Sequence, residues 1–146
     1  MTSFDYLEVL IRSIALAALV TRDVYWRVTE RASNRSKPLA KPRTPMASLK
    51  RLVLTGLVAI MYLQIIGLPI VPWPAGNWSV FAQSAGLIVL LIGLVICLAA
   101  RRTLGDNWAH GAEYQIKAGH QLVTSGIYRL VRHPIYGGLM LMAIGT

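Results

Sequence analysis

The chain has 146 residues, 55% of them hydrophobic, and a mean hydropathy of +0.52, which is too apolar for an ordinary soluble domain. Only 14% of the residues are charged, and 15 Lys and Arg against 6 Asp and Glu give a net charge of +9. The composition predicts a small all-α integral membrane protein. It gives little support to nucleic-acid binding, because basic residues in such a chain mark membrane topology.

The first candidate helix, Leu7–Trp26, is a marginal membrane helix. Its clean apolar run is only Ser13–Val20. A charge at the centre of a span costs about 2.5 to 3.5 kcal/mol on insertion scales, whereas one near an end can snorkel to the interface. Two interpretations therefore stay open, a helix that spans the membrane and one that lies in its interface. The ionisable residues concerned are Glu8, Arg12, Arg22 and Asp23.

The N-terminus does not resemble a cleaved signal peptide. Asp5 stands where such a signal carries Lys or Arg, and Arg12 interrupts the apolar stretch that follows. Ala32–Pro45 contains Ser, Asn, Lys, Arg and three prolines, a composition that predicts a mobile cytoplasmic linker touching anionic headgroups. We therefore divide the chain into an N-terminal part, residues 1–51, and a membrane domain, residues 52–146.

Two uncharged segments follow, Leu52–Pro69 and Ser79–Ala100. As helices they reach about 27 Å and about 33 Å, close to the roughly 30 Å of a bilayer core. The connection between them, Pro72–Trp78, is rich in turn residues and carries two tryptophans suited to the headgroup level. The pattern predicts a helical hairpin. Cys97 lies in the second segment, and as the only cysteine it excludes an intrachain disulfide and is interpreted as a small core residue.

The basic residues lie on one side of this hairpin, before the first helix and, as Arg101 and Arg102, directly after the second. The positive-inside rule makes that side cytoplasmic. We therefore expect a multi-pass protein of an inner or plasma membrane. All three histidines fall in the stretch from Arg101 to Pro134, so we expect the functional loop to be cytoplasmic.

A fourth helix is predicted from Pro134, and its thirteen residues reach only about 20 Å. We interpret it as an incomplete last helix and expect the chain to be an N-terminal fragment, or a truncated reading frame, of a longer protein. Proline is favoured at the first helical position, which makes His133 the N-cap. The backbone N–H groups of Ile135, Tyr136 and Gly137 are then available to bind an anion, so the sequence predicts an anion site at this helix end. Gly137 and Gly138 permit close approach of a helix or a ligand, and helix packing is the favoured use.

Several chemistries are excluded by missing motifs. The sequence has no G-x-G-x-x-G, no Walker loop, no H-E-x-x-H and no G-x-S-x-G. His110, His120 and His133 are spaced too irregularly to indicate a metal, so none is expected. A bland interpretation of the loop also stays open, in which Trp108, Tyr114 and Tyr128 merely anchor it to the headgroups.

Residues Gly119–Gly138 carry the pattern G-H-x-L-V-T-x-G-x-Y-x-x-x-R-H-P-x-Y-x-G, which closely resembles the signature of the isoprenylcysteine carboxyl methyltransferase family. That family is similar in turn to the membrane phospholipid N-methyltransferases. The resemblance implies an integral membrane enzyme that binds S-adenosylmethionine in a cytoplasmic pocket outside the Rossmann fold. It leaves the catalytic residues unassigned. It implies cofactor contacts from His120, Gln121, Leu122, Val123, Tyr128, His133, Pro134, Ile135 and Tyr136, with Gln115 or Glu113 as a further counterpart.

These positions have the chemistry that the cofactor needs. Helix-terminal N–H groups and His133 suit the methionine carboxylate, and an apolar and aromatic slot suits adenine. The slot residues would be Leu122, Val123, Tyr128 and Tyr136. Family members continue to an Arg and a Glu-Glu motif that this chain does not contain, so we expect a partial site.

The resemblance implies that the methyl acceptor is the carboxylate of a prenylated or other lipidic substrate, with membrane lipids as surroundings. A phospholipid amine is an alternative acceptor, and it would require a base such as Glu113 or His110. The alternative from another class is a non-catalytic membrane protein whose basic linker binds lipid and whose Arg132–His133 pair only caps a helix.

Overall fold

The computed structural model describes residues 3–34, 45–68, 78–107 and 122–146. These residues form four α-helices and two short 3-10 turns, without a strand among them, which confirms the predicted all-α class for the described part of the chain. The predicted linker core and the predicted connection between the spans, at 35–44 and 69–77, lie outside the described residues. The helices are α1 Ser3–Asn34, α2 Pro45–Ile66, α3 Trp78–Leu104 and α4 Pro134–Ile144, and the turns are Gly105–Asn107 and Gly126–Arg129.

Helices α1 and α3 run in parallel along each other. At one end the Ser79 hydroxyl donates a hydrogen bond to the Glu8 carboxylate at 3.1 Å. At the other end the Arg101 guanidinium lies 5.7 Å from the centre of the Trp26 ring. The N-terminal helix, although marginal by sequence, therefore lies beside α3 between Glu8 and Trp26.

Helix α2 packs chiefly on α1, while α3 packs on α1 and α4. The predicted hairpin of the second and third helices is therefore corrected to two helices that are not each other's main partners, because α2 packs chiefly on α1 whereas α3 packs most on α4 and next on α1. Among the α2 side chains that the structure describes, Met61 and Ile65 in the C-terminal half are buried, whereas apolar residues of the N-terminal half such as Leu52 and Val53 are exposed. The apolar composition of a helix indicates that it is removed from water, but it does not determine which other helix it packs against.

Helices α3 and α4 pack antiparallel through small residues. Gly93 lies opposite Gly138, and Gly86 lies opposite Gly145, the residue that caps α4. A Cβ atom added at Gly93, Gly138 or Gly145 would overlap atoms of the facing segment, and one at Gly86 would lie a tight 3.0 Å from the Gly145 carbonyl oxygen. The expected use of Gly138 in close helix packing is therefore confirmed. Gly137, in contrast, has no atom within 4 Å of the Cβ position.

One apolar cluster joins all four helices. Small residues of α1, Ala15 and Ala18, allow close packing around Leu19, Leu90 and Met142, which are fully buried. Cys97 belongs to the same cluster with no exposed surface, which confirms its interpretation as a core residue. The remaining members are Met61 and Ile65.

Within the described residues, α3 is long and apolar enough to cross a membrane. Two shorter apolar stretches accompany it, Leu52–Ile66 within α2 and Pro134–Ile144, which is α4. The predicted second span is therefore matched by a single long helix, and the predicted first span corresponds to a shorter apolar stretch.

Charged residues of α1 are accommodated by pairing. The Arg22 guanidinium contacts the Asp23 carboxylate at 2.6 Å, and the Tyr62 hydroxyl of α2 donates to the other oxygen of that carboxylate at 2.9 Å. Arg22 is only 8% exposed. The sequence pattern had placed this arginine among the basic residues that flank the first hairpin helix, but the fold encloses it between helices.

Candidate functional site

Of the predicted site residues that the structure describes, Tyr128 and His133–Tyr136 lie where α3 ends and α4 begins. Pro134 is fully buried and Ile135 is 5% exposed. The Cys97 thiol of α3 donates a hydrogen bond to the Ile135 carbonyl at 3.5 Å. The first turn of α4 is therefore held against the last turns of α3, and any contact of Pro134 or Ile135 with a ligand is left to backbone atoms.

The start of α4 places backbone N–H donors beside the solvent-exposed side chains of His133 and Tyr136. Pro134 occupies the first helical turn, and His133 is the N-cap without a side-chain capping hydrogen bond. The Gly137 N–H donates to the His133 carbonyl at 3.2 Å, which corrects the expectation that it is free for an anion. Helix geometry leaves the N–H groups of Ile135 and Tyr136 without an intrahelical acceptor.

The side chains of His133 and Tyr136 are both exposed and lie together, with ring centres 6.4 Å apart in an edge-on arrangement. Leu122 is 86% exposed, whereas Val123 and Tyr128 are half-buried. The predicted slot is thus open to solvent at Leu122 and Tyr136. His120 and Gln121, with the further candidates His110, Glu113 and Gln115, lie outside the described residues.

The segment that carries Tyr128 approaches α3 closely at Gly126. Gly126 has φ +57°, and a Cβ atom there would lie 3.1 Å from the Thr103 hydroxyl. Residues with a side chain rarely adopt this backbone conformation. The turn that follows is closed by a 3.2 Å hydrogen bond from the Tyr128 N–H to the Ser125 carbonyl. The glycine of the motif therefore allows Tyr128 to lie against α3.

Arg101 lies beside the site and was not predicted from the sequence to belong there. By sequence Arg101 indicates only the cytoplasmic side of the membrane, yet the fold leaves it 2% exposed. One of its terminal nitrogens donates to the Gly105 carbonyl at 2.9 Å, and the indole of Trp26 covers the guanidinium. Its position after an apolar span offered no signal that it would be buried.

Tyr128 lies near enough to Arg101 for their electrostatics to interact. Burial raises the pKa of the Tyr128 phenol to about 12, with the positive charge of Arg101 acting in the opposite direction. The phenol therefore remains neutral throughout the physiological pH range.

We expect Tyr128 to ionise near pH 12 rather than near pH 10, which ultraviolet absorbance titration checks as the difference between the wild type and Tyr128→Phe. Because the folded pKa exceeds the unfolded value, the contribution of Tyr128 to stability is complete below about pH 10. It is lost as the pH rises through about 12. A difference spectrum with its midpoint at the ordinary tyrosine value would contradict the burial of this phenol.

The geometry suits an anionic ligand with an attached aromatic or apolar group. Two backbone donors, the open imidazole of His133 and the phenol ring of Tyr136 meet at one helix end. Among the described residues, no group of three or more His, Cys, Asp or Glu side chains is arranged to hold a metal ion.

Comparison with known proteins places the similarity at this end of the chain. Residues 86–146 match the model of the isoprenylcysteine carboxyl methyltransferase family, so the resemblance carried by the motif is confirmed over that segment. No solved structure matches.

Three curated relatives illustrate the extent of the match. A protein from Oryza sativa subsp. indica, named as a probable protein-S-isoprenylcysteine O-methyltransferase, is 39% identical over 66 residues, which are 45% of this chain and 35% of the relative. Protein-S-isoprenylcysteine O-methyltransferase A from Arabidopsis thaliana is 35% identical over 77 residues, 53% of this chain and 39% of the relative. The Rattus norvegicus protein-S-isoprenylcysteine O-methyltransferase is 35% identical over 74 residues, 51% and 26% respectively. The matched part of the chain thus spans well under half the length of each relative.

Proposed function

We propose that this chain, which resembles the isoprenylcysteine carboxyl methyltransferase family over residues 86–146, forms the cofactor-binding part of a membrane methyltransferase that uses S-adenosylmethionine. The observation that carries the proposal is the start of α4. There His133 is exposed and makes no capping hydrogen bond through its side chain, beside the open ring of Tyr136.

The residues at this helix end fit the polar part of the cofactor. The N–H groups of Ile135 and Tyr136 and the imidazole of His133 are donors for its carboxylate, and the positive end of the helix dipole favours the same charge. Tyr136 and the half-buried Val123 and Tyr128 offer apolar and aromatic surface for adenine. His120 and Gln121 join this proposed set from the motif.

S-adenosylmethionine supplies a methyl group carried on a positively charged sulfur. For this transfer, the residues of the chain would orient the donor at the helix end, beside the apolar helices α3 and α4. A carboxylate acceptor is already ionised at neutral pH and needs no general base. Its negative charge and the positive charge of the sulfonium partly cancel in the transition state, so a water-poor position at the membrane edge would favour the transfer. We infer that the acceptor is the carboxylate of an isoprenylcysteine-like lipidic substrate.

We further propose a multi-pass arrangement with the site on the cytoplasmic side. Helix α1 lies parallel to α3 between the Glu8–Ser79 and Trp26–Arg101 contacts. If α3 crosses the bilayer, this packing supports a spanning α1 rather than one lying in the interface. Both helices then end on the side that carries the basic residues, which is the cytoplasmic side of an inner or plasma membrane.

The non-catalytic alternative treats the Arg132–His133 region as a helix cap. The absence of a capping hydrogen bond from the His133 side chain favours the ligand-binding proposal over that alternative. An amine acceptor, as in phospholipid N-methylation, would require a general base, for which the sequence offers Glu113 or His110, both outside the described residues.

We expect His133→Ala and Tyr136→Ala each to weaken S-adenosylmethionine binding about tenfold or more, the size of one or two lost hydrogen bonds or stacking contacts at a charged ligand. Isothermal titration calorimetry in nanodiscs measures the Kd, on this chain and on the longest native form of the protein that contains it. Because both side chains are exposed, the variants should keep the thermal stability of the wild type.

Leu130→Ala is the matched control, since Leu130 lies in the same segment, is 83% exposed and is not a proposed contact. It should leave the Kd unchanged. If neither wild-type form binds S-adenosylmethionine, with folding verified, the proposed function is contradicted. Loss of stability without loss of affinity in His133→Ala would favour the capping role.

A further inference from the structure

The N-terminal helix α1 reaches the proposed cofactor segment through one aromatic residue. Trp26 lies near the C-terminal end of α1, and its indole covers the guanidinium of Arg101, 5.7 Å from the ring centre. Helix α1 also packs against the turn Gly105–Asn107 that ends α3. All of α1 precedes the segment 86–146 that matches the family model.

Arg101 transmits this contact to the end of α3. Its guanidinium is enclosed, with Arg101 2% exposed, and it donates to the carbonyl of Gly105 at 2.9 Å. A cation held over an indole in a dry setting is attracted by the ring face more strongly than at an exposed site. Trp26 and Gly105 therefore restrict the guanidinium from two directions.

The same end of α3 supports the turn Gly126–Arg129. The turn packs on α3, the Cβ position of Gly126 lies 3.1 Å from the Thr103 hydroxyl, and Tyr128 is close enough to Arg101 for the positive charge to act on its phenol. Displacement of Arg101 would thus disturb the surface on which Tyr128 rests.

From this chain of contacts, and resting on the proposed function, we propose that Trp26 is a positioning residue for cofactor binding. It acts through Arg101, by holding the end of α3 on which the Tyr128 segment rests. The N-terminal helix then contributes to cofactor affinity without touching the cofactor.

The test compares Trp26→Ala, Trp26→Phe and Trp78→Ala in nanodiscs. Trp78 is the matched control, because it is a 72% exposed tryptophan at the opposite end of α3. Amide hydrogen exchange reports the order of residues 101–107 and 122–131 without any ligand, and calorimetry measures the Kd for S-adenosylmethionine. Exchange in the packed stretch 86–100 checks that each variant is folded.

For Trp26→Ala we expect faster exchange in residues 101–107 and 122–131, unchanged exchange in 86–100, and a Kd raised about tenfold. Trp26→Phe keeps a smaller ring and should give an intermediate result, whereas Trp78→Ala should change neither readout. Unchanged exchange in Trp26→Ala would overturn the link through Arg101. Faster exchange with an unchanged Kd would overturn the role in cofactor binding. If the wild type does not bind S-adenosylmethionine, the proposed function fails and the positioning of a cofactor fails with it, while the exchange data still test the contact.

Discussion

Gly138→Ala is expected to lower the free energy of unfolding by about 2 to 3 kcal/mol, a typical cost of overpacking a tight contact. A Cβ atom at this position would lie 2.6 Å from the Cys97 sulfur and 2.8 Å from the Gly93 carbonyl oxygen. The carbonyl belongs to the backbone of α3 and cannot move aside as a flexible side chain can. Reversible unfolding in mixed micelles, followed by circular dichroism, measures the change.

Gly137→Ala is the matched control, because the added methyl group at Gly137 meets nothing within 4 Å. Alanine is a better helix former than glycine by about 1 kcal/mol, so this variant should be neutral or slightly more stable than the wild type. Gly93→Ala should resemble Gly138→Ala, since its Cβ would lie 2.6 Å from the Gly138 carbonyl oxygen. Equal stability of the Gly137 and Gly138 variants would contradict the α3–α4 packing.

Asp23→Ala is expected to cost about 3 to 5 kcal/mol, because it removes the partner of an enclosed positive charge. The side chain of Arg22 is 10% exposed, and its guanidinium contacts the Asp23 carboxylate at 2.6 Å. The substitution also removes the acceptor of the Tyr62 hydroxyl. The same unfolding experiment measures the loss.

Two further variants separate the origins of that cost. Tyr62→Phe removes one hydrogen bond to the carboxylate and should cost about 1.5 kcal/mol. The double variant Arg22→Met with Asp23→Ala should be more stable than Asp23→Ala alone, because no unpaired charge then remains between the helices. Arg27→Ala is the control, since Arg27 is exposed and should change stability by no more than about 0.5 kcal/mol. A double variant as unstable as Asp23→Ala would argue against an enclosed charge.

Helix positions were largely predictable because they depend on local properties. The run without charge from Ser79 to Ala100 lies within the observed α3, and proline at position 134 marks the observed start of α4. Contacts between helices were harder to predict from the sequence. Charged residues make α1 a marginal membrane helix by sequence, but Arg22 pairs with the adjacent Asp23. The carboxylates of Asp23 and Glu8 gain further hydrogen bonds because α1 lies beside α2 and α3.

The spacing of the glycines in and directly after α3 and α4 is a sequence signal for close helix packing. Gly86 and Gly93 are spaced like Gly138 and Gly145, seven residues apart in each helix. The equal spacing indicates two helices whose small residues meet on one face. It does not identify which helices meet, which required the facing distances.

The sequence by itself determined the apolar helical class, the start of α4 at Pro134 and the motif that resembles the methyltransferase family. Each depends on composition, on backbone stereochemistry or on residue identity at fixed spacing, which are properties of a local stretch of chain. Only the tertiary structure decided that α1 lies against α3, that Arg101 is enclosed under Trp26, and that Gly138 is packed while Gly137 is open. These features depend on which surfaces meet across many residues of chain, and a buried charge becomes tolerable only once its partners have been brought together by that packing.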